Sequence, residues 1–117
     1  MSFAKTLVLF ALAGTAGAAQ AQVDPSFASC AACHSTKAGE NRLGPSLAGV
    51  VGRKKASVAG FNYSPAMKAQ QGAWTAASLD AFLTAPTKAV PGTRMIFPGV
   101  PDAKKRAALI GYLKTLK

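Results

Sequence analysis

Apolar positions along the chain form two helical patterns, one continuous run and a long stretch with no period. From Thr75 to Ala85, Leu79, Phe82 and Leu83 recur at i, i+3 and i+4, the spacing of one face of an amphipathic helix. Thr75 offers an N-cap and Pro86 a stop. From Asp102 to Leu116, Ala107, Ile110 and Leu113, with Leu109 and Tyr112, make one broad apolar face. Asp102 is placed to cap this helix, and Lys114 and Lys117 suit the partial negative charge at its end. Two shorter helices are predicted from their starts. Ser64-Pro65-Ala66-Met67 reads as a cap followed by proline at the first helical position, and Asp24-Pro25 opens a short helix ahead of Cys30. Between Lys37 and Asn62 glycine and proline interrupt every period, so this stretch reads as loop. A loop of that length needs a surface to pack on. No repeat, linker or second domain is visible, and the pattern predicts an all-α fold of three or more helices joined by long loops.

The continuous run, Leu7-Val8-Leu9-Phe10-Ala11-Leu12-Ala13, follows Lys5 and precedes Ala19-Gln20-Ala21. A positive start, a short apolar core and an A-x-A site predict a secretory signal peptide over residues 1–21, with the mature domain at 22–117. The run falls short of the roughly 18 to 20 residues that cross a bilayer, which argues against an uncleaved anchor. The full chain has 117 residues, half of them apolar, which fits one folded domain rather than a disordered tail. It carries 14 Lys and Arg against 4 Asp and Glu, a net charge of +10, and loss of the signal would remove only Lys5. Two cysteines are too few for a disulfide-stapled mini-protein, and one histidine is too few for a multi-histidine zinc site. A domain this small is marginal without a staple or a cofactor.

Cys30-Ala31-Ala32-Cys33-His34 supplies a candidate. The C-x-x-C-H spacing is the attachment signature of c-type haem. Two thiols on one helical turn reach the two vinyl groups of one porphyrin, and the next residue aims its imidazole at the iron from the same side. Two other readings compete. A thioredoxin-like redox pair would sit in a βαβ context, and no strand-rich flank is present. A structural disulfide between Cys30 and Cys33 is compatible with export. A six-coordinate electron-transfer haem commonly pairs histidine with methionine. Met67 lies on the short capped helix, where a flexible apolar gap-filler is expected. Met95 lies in Val90-Pro91-Gly92-Thr93-Arg94-Met95-Ile96-Phe97-Pro98-Gly99, a loop between helical patterns that can fold over a porphyrin face. The pattern favours Met95.

With these residues in view, the chain resembles the class I cytochrome c family, the small soluble cytochromes of mitochondria and bacterial periplasms. The resemblance spans nearly all of residues 22–117. It rests on Cys30 to His34, Gly44-Pro45-Ser46-Leu47, Gly52-Arg53-Lys54, Gly60-Phe61-Asn62-Tyr63-Ser64 with Trp74, Pro91-Gly92-Thr93-Arg94-Met95, and Leu109-Ile110-Gly111-Tyr112-Leu113-Lys114. It implies a cytochrome c fold around one haem c (heme c), joined covalently through Cys30 and Cys33. His34 and Met95 would be the axial ligands, and the Pro45 carbonyl would accept the second ring N–H of His34. Tyr63, Trp74 and Arg53 would surround the haem propionates, with Thr93 near them. The chain departs from the family in places. Only Gln22 to Ser29 precede the haem motif after the signal, Phe82 stands where many relatives have tyrosine, and Met67 stands where many have a polar residue.

The basic charge fits nucleic acid, an anionic membrane or an acidic protein. No nucleic-acid motif is present, and export argues against that partner. By resemblance, Arg42, Lys88 and Arg94 would lie near the exposed haem edge and steer encounters with acidic faces of redox proteins. A quinol-oxidising complex, a terminal oxidase, a dehydrogenase or a photosynthetic reaction centre would each qualify. Lys104-Lys105-Arg106 reads as a separate basic cluster on the last helix, equally consistent with a solvated face. The four carboxylates, Asp24, Glu40, Asp80 and Asp102, are scattered and suggest no acid–base pair. The sequence therefore points to a soluble, monomeric periplasmic electron carrier of respiration, photosynthesis or substrate oxidation, not an enzyme. Two rivals are a peroxide- or gas-binding haem protein with a labile Met95, and a fixed cytochrome subunit of a larger oxidoreductase.

Overall fold

Four polar side chains decide where helices begin. In the computed structural model, which describes residues 8–11, 14 and 22–117, each of them caps a run of orphan backbone N–H groups. Asp24 accepts from Ser26 N (2.9 Å) and opens a 3-10 turn at Pro25–Phe27, which runs directly into α1 at Ala28–Ala31. Ser64 accepts from Met67 N and starts α2, Pro65–Lys68. Thr75 and Ser78 exchange hydrogen bonds in a reciprocal cap that starts α3, Ala76–Thr84. Asp102 accepts from Lys105 N and starts α5, Ala103–Leu113. Between them Pro86 does not simply end a helix: it occupies the first turn of α4, Pro86–Ala89, because its fixed φ and missing N–H suit that position. Most of the signal-peptide reading over residues 1–21 lies outside the described residues. No described helix is long and apolar enough to cross a membrane.

The core forms where α3, α5 and the N-terminal turn meet. Leu79, Phe82 and Leu83 of α3 are buried, as are Leu109, Ile110 and Leu113 of α5. Leu109 is fully enclosed, at 0 % exposure, and removing a leucine side chain from water stabilises by about 2 to 3 kcal/mol. Phe27 meets Tyr112 edge-on with centroids 4.9 Å apart, which docks the start of the chain on α5. The helical pattern of α5 is shorter than its apolar spacing predicts, ending at Leu113, and Ala107 faces solvent.

The residues from Ser35 to Asn62 carry no helix and hold themselves by turns and side-chain bonds. Buried Ser46 is the hub. Its hydroxyl donates to the Lys37 carbonyl (2.6 Å) and its N–H to the Asn41 side chain (3.0 Å). Leu47 N–H returns to the Ser35 carbonyl at 2.8 Å. Further on, Lys54 and Ala73 form an isolated antiparallel bridge, flanked by bonds from Gly52 N to Trp74 O (2.7 Å) and from Trp74 N to Arg53 O (2.8 Å). That bridge sets Arg53 and Trp74 side by side.

Candidate haem site

The C-x-x-C-H segment begins inside α1 and leaves it at once. Cys33 N–H and His34 N–H both donate to the Cys30 carbonyl, at 3.0 and 2.8 Å. This single tight turn gathers both thiols and the imidazole on one side of a cavity of about 510 Å³, within the usual size range of cofactor sites. No disulfide joins Cys30 to Cys33, and Cys30 is buried. Burial raises the Cys30 pKa, and the neighbouring Cys33 adds to that.

His34 is fixed from two directions. Its Nδ1 lies 2.7 Å from the Pro45 carbonyl, so the ring donates there and leaves the Nε2 lone pair available. Gly44 packs flat against the ring: a Cβ there would overlap Cε1, Nδ1 and Nε2. Gly44 N–H in turn donates to the Cys33 carbonyl at 2.8 Å, closing the loop back onto the motif. Burial lowers the His34 pKa, the Pro45 bond opposes this and Arg53 adds to the lowering. The net direction favours neutral imidazole, the form that binds metal.

Met95 lines the same cavity, with Thr93, Arg94, Ile96 and Phe97 of the same loop. Met95 N–H donates to the Thr93 hydroxyl at 3.3 Å, so Thr93 shapes the methionine backbone. Arg94 reaches back to the Asn62 carbonyl at 3.1 Å. Met67, Trp74, Phe82 and Leu83 form much of the apolar wall, and Met67 is itself buried. Both methionines therefore line one cavity, but they arrive from different elements.

Arg53, Tyr63 and Trp74 also line it. The Tyr63 hydroxyl accepts from Val58 N at 3.1 Å. Lys55 Nζ sits 4.9 Å above the Trp74 ring, a cation–π contact that leaves the opposite edge of the indole to pack against Phe82 at 5.1 Å. Arg53 donates through Nη1 to the Ser46 and Ala48 carbonyls, both at 2.8 Å, while its buried Nε has no partner. Burial lowers the Arg53 pKa, with Tyr63 opposing. A guanidinium stays protonated even so, which leaves a buried donor aimed at an acceptor the protein does not provide.

These features test the fit of a haem directly. The apolar cavity would enclose a porphyrin, the two thiols match its vinyl groups, and the orphan Arg53 Nε matches a propionate oxygen. A buried donor without such a partner costs about 1 to 3 kcal/mol. The residues present fit the group. Among the described residues no cluster of three or more His, Cys, Asp or Glu is arranged to hold a bare metal ion.

The sequence motifs did not signal every residue that matters. Leu43 and Ile96 line the cavity although they are exposed to solvent, at 83 and 101 %. Their position beside Arg42 and Arg94 was the available clue. The Lys104-Lys105-Arg106 cluster needs correction. Arg106 turns inward, its side chain only 12 % exposed, and pairs with Asp80 at 2.6 Å. It lies at the i−3 position to buried Leu109, on the packed face of α5, whereas Lys104 and Lys105 face solvent.

A helical chain folded around an apolar cavity, lined both by the C-x-x-C-H motif and by a methionine loop, defines a c-type haem protein. The profile of the family Cytochrome c matches residues 19–117. Cytochrome c2 iso-2 of Magnetospirillum fulvum is 43 % identical over 96 residues, covering 82 % of this chain and 100 % of that protein. Cytochrome c-type cyt cy of Rhodobacter capsulatus is 52 % identical over 87 residues, but this chain spans only 43 % of its length. Among solved structures, cytochrome cH from Methylobacterium extorquens superposes with a TM-score of 0.71 at 45 % identity, covering 77 % of this chain and 91 % of that one. The chain belongs to the cytochrome c family, as a monohaem electron-carrier cytochrome with one covalently attached haem c.

Proposed function

We propose that the chain is exported, loses residues 1–21 as a signal peptide, and works in the periplasm as a soluble monomer that passes single electrons between redox proteins. Cys30 and Cys33 would hold the haem by thioether bonds, and His34 and Met95 would ligate its iron. The observation that carries this reading is the His34 Nδ1 to Pro45 carbonyl bond of 2.7 Å, which fixes the tautomer and frees Nε2 for iron. When bound, the haem supplies a reversible one-electron couple.

The protein's own residues hold that site still and dry. Gly44 lets the imidazole lie against backbone, and Pro45 fixes its rotation. Thr93 orients the Met95 backbone. Arg53, with Tyr63 and Trp74 also in the cavity wall, would meet the propionates with a positive, hydrogen-bonding surface. Every acidic side chain is engaged in the fold. Asp24 and Asp102 cap helices, Asp80 pairs with Arg106, and Glu40 accepts from Ser35. None of the four lines the cavity, whose wall is apolar and basic, a setting that suits an electron-transfer haem. With Lys5 gone, 13 Lys and Arg against 4 Asp and Glu leave a net charge of +9, which supports acidic docking faces on the partners.

The test is a set of visible spectra of holoprotein matured in a periplasm, with cell fractionation. A low-spin spectrum with the weak far-red thioether–ferric band is expected in the wild type and in Met67→Leu, and loss of the band in Met95→Ala. The holoprotein is expected in the periplasmic fraction, and deletion of residues 1–21 should abolish haem attachment. A high-spin wild type that binds carbon monoxide readily would refute the closed site. Partner reduction rates that do not change with ionic strength would refute electrostatic docking.

A further inference from the structure

Met95 sits on a segment with almost no regular structure, so something must hold it. At the N-terminal side the loop is rooted in α4 through Val90, 3 % exposed, whose N–H donates to the Pro86 carbonyl at 2.9 Å. At the C-terminal side four contacts converge on three consecutive residues, Gly99 to Pro101. Val100 N–H donates to the Leu83 carbonyl at 2.7 Å, using an acceptor left over at the end of α3. Gly99, at φ 102°, lies so close to α3 that a Cβ would strike the Thr84 carbonyl. Arg106 of α5 then reaches over, and its Nη1 donates to the Val100 carbonyl at 2.9 Å and the Pro101 carbonyl at 3.3 Å.

The Arg106 guanidinium does not stand by itself. Its Nε donates to Asp80 Oδ1 on α3 at 2.6 Å. One planar fork therefore ties α3, α5 and the end of the methionine loop together. A rigid fork can do this where a lysine ammonium on a flexible stem cannot hold the carboxylate and both carbonyls in one geometry. The carboxylate is half-exposed, with 50 % of the side chain accessible, so the pair adds little as a surface ion pair. Its geometric consequence is larger, because only three residues separate Met95 from the anchor at Gly99.

We propose that Arg106, oriented by Asp80, is a positioning residue that holds Met95 at its station and so sets how readily another ligand displaces the methionine from the iron. This rests on the reading of Met95 as axial ligand. Loosening the clamp widens the range of positions the loop samples, which weakens the thioether bond relative to a soluble competitor while leaving the His34 side untouched.

The experiment titrates ferric holoprotein with imidazole and follows the far-red thioether band, with a urea titration of each variant alongside. Asp80→Asn, Arg106→Gln and Arg106→Lys are compared with Thr75→Ala, which weakens the cap of α3 without touching the clamp. The clamp variants are expected to bind imidazole about three- to tenfold more tightly than wild type, the range set by losing one charge-assisted hydrogen bond at a partly exposed site. Thr75→Ala is expected to bind as wild type does, even at equal loss of global stability. Arg106→Lys should resemble Arg106→Gln, because charge alone does not rebuild the fork. Asp80→Asn replaces a half-exposed side chain by an isostere, so it reports even if an Arg106 variant folds poorly. Unchanged imidazole affinity in Asp80→Asn with a normal wild-type band would overturn the clamp and leave the ligand reading standing. Affinity that simply tracks urea stability across all four variants would also overturn it. A wild type without the band would instead sink the ligand reading, and the clamp with it.

Discussion

Gly44→Ala is the substitution whose outcome the structure constrains most tightly. Gly44 has no left-handed φ that demands glycine, so in an open place alanine would be stabilising by about 0.4 to 1 kcal/mol through the unfolded chain. Here the added Cβ would stand 2.6 Å from Nδ1 and 2.8 Å from Nε2 of His34, and closer still to Cε1. Ordinary contact needs about 3.5 Å, so the ring or the loop must give by about 1 Å. The Nδ1 to Pro45 carbonyl bond starts at 2.7 Å, and a displacement of that size takes it out of bonding range. Overpacking costs about 1 to 3 kcal/mol, and the part-buried Pro45 carbonyl left without its donor about 1 to 2 more. The net expectation is a loss of about 2 to 5 kcal/mol, with the imidazole rotated and its basicity reduced. Urea denaturation of ferric holoprotein measures the first effect. The reduction potential and the low-spin spectrum report the second, which a purely structural cost elsewhere would not move. A variant with wild-type stability and an unaltered spectrum would refute the claim that Gly44 is the surface on which His34 rests.

Three further outcomes follow from single features. Leu109→Ala should cost about 3 to 5 kcal/mol in a denaturation titration, because the side chain is fully enclosed between packed helices; a loss under about 1.5 kcal/mol would mean that the site collapses to fill the space. Asp102→Ala should cost about 1 kcal/mol by removing the acceptor 2.9 Å from Lys105 N, and Asp102→Asn should restore most of it. Glu40→Gln tests pH linkage. The Ser35 hydroxyl holds the Glu40 carboxyl below its ordinary value of 4.5, with Arg42 and Lys37 assisting, so its stabilising effect is complete above that value and is lost as pH falls through the lower folded-state pKa. The difference between wild type and Glu40→Gln in denaturation midpoint should therefore be present at pH 7 and vanish in strong acid; a difference independent of pH would show that the carboxylate charge is not involved.

What the sequence made legible is what it encodes locally. Asp24, Ser64, Thr75 and Asp102 each stand before a helical pattern with a short polar side chain, and all four cap as their chemistry requires. The motif residues were legible because their spacing is itself the chemistry. Arg106 was misread because three adjacent basic residues look like one patch, although a helix turns about 100° per residue and sends them to different faces. Its spacing to Leu109, Ile110 and Leu113 is the i+3, i+4, i+7 pattern of a buried stripe, a signal that treating all three as one charge run obscured. The partners of Arg53 were beyond reach for another reason. They are the carbonyls of Ser46 and Ala48, and no side-chain pattern records where a loop turns its backbone. Ala56, held at φ 54° on the cavity wall, is similar: a residue type that disfavours that conformation gives no warning of it.

The two proposed iron ligands are supported in unlike ways, and the difference bears on function. His34 lies next to the attachment cysteines, on a turn whose carbonyl at Cys30 accepts two N–H groups, with Gly44 and Pro45 pressed against it. Its position is set within a few residues of the covalent links. Met95 is held from a distance, by Val90 on one side and by Val100 and Arg106 on the other. Local restraint tolerates loss of tertiary packing; distant restraint depends on α3 and α5 staying together. If Met95 and His34 ligate the iron as proposed, the methionine side should therefore yield first under stress, while the cysteine and histidine side would keep the haem in place. For a carrier this ordering is useful. On the proposed ligation, small changes in how firmly the loop is anchored would alter exchange at the iron without endangering the attachment, and Asp80 and Arg106, outside the cavity lining, are the residues proposed to set that firmness.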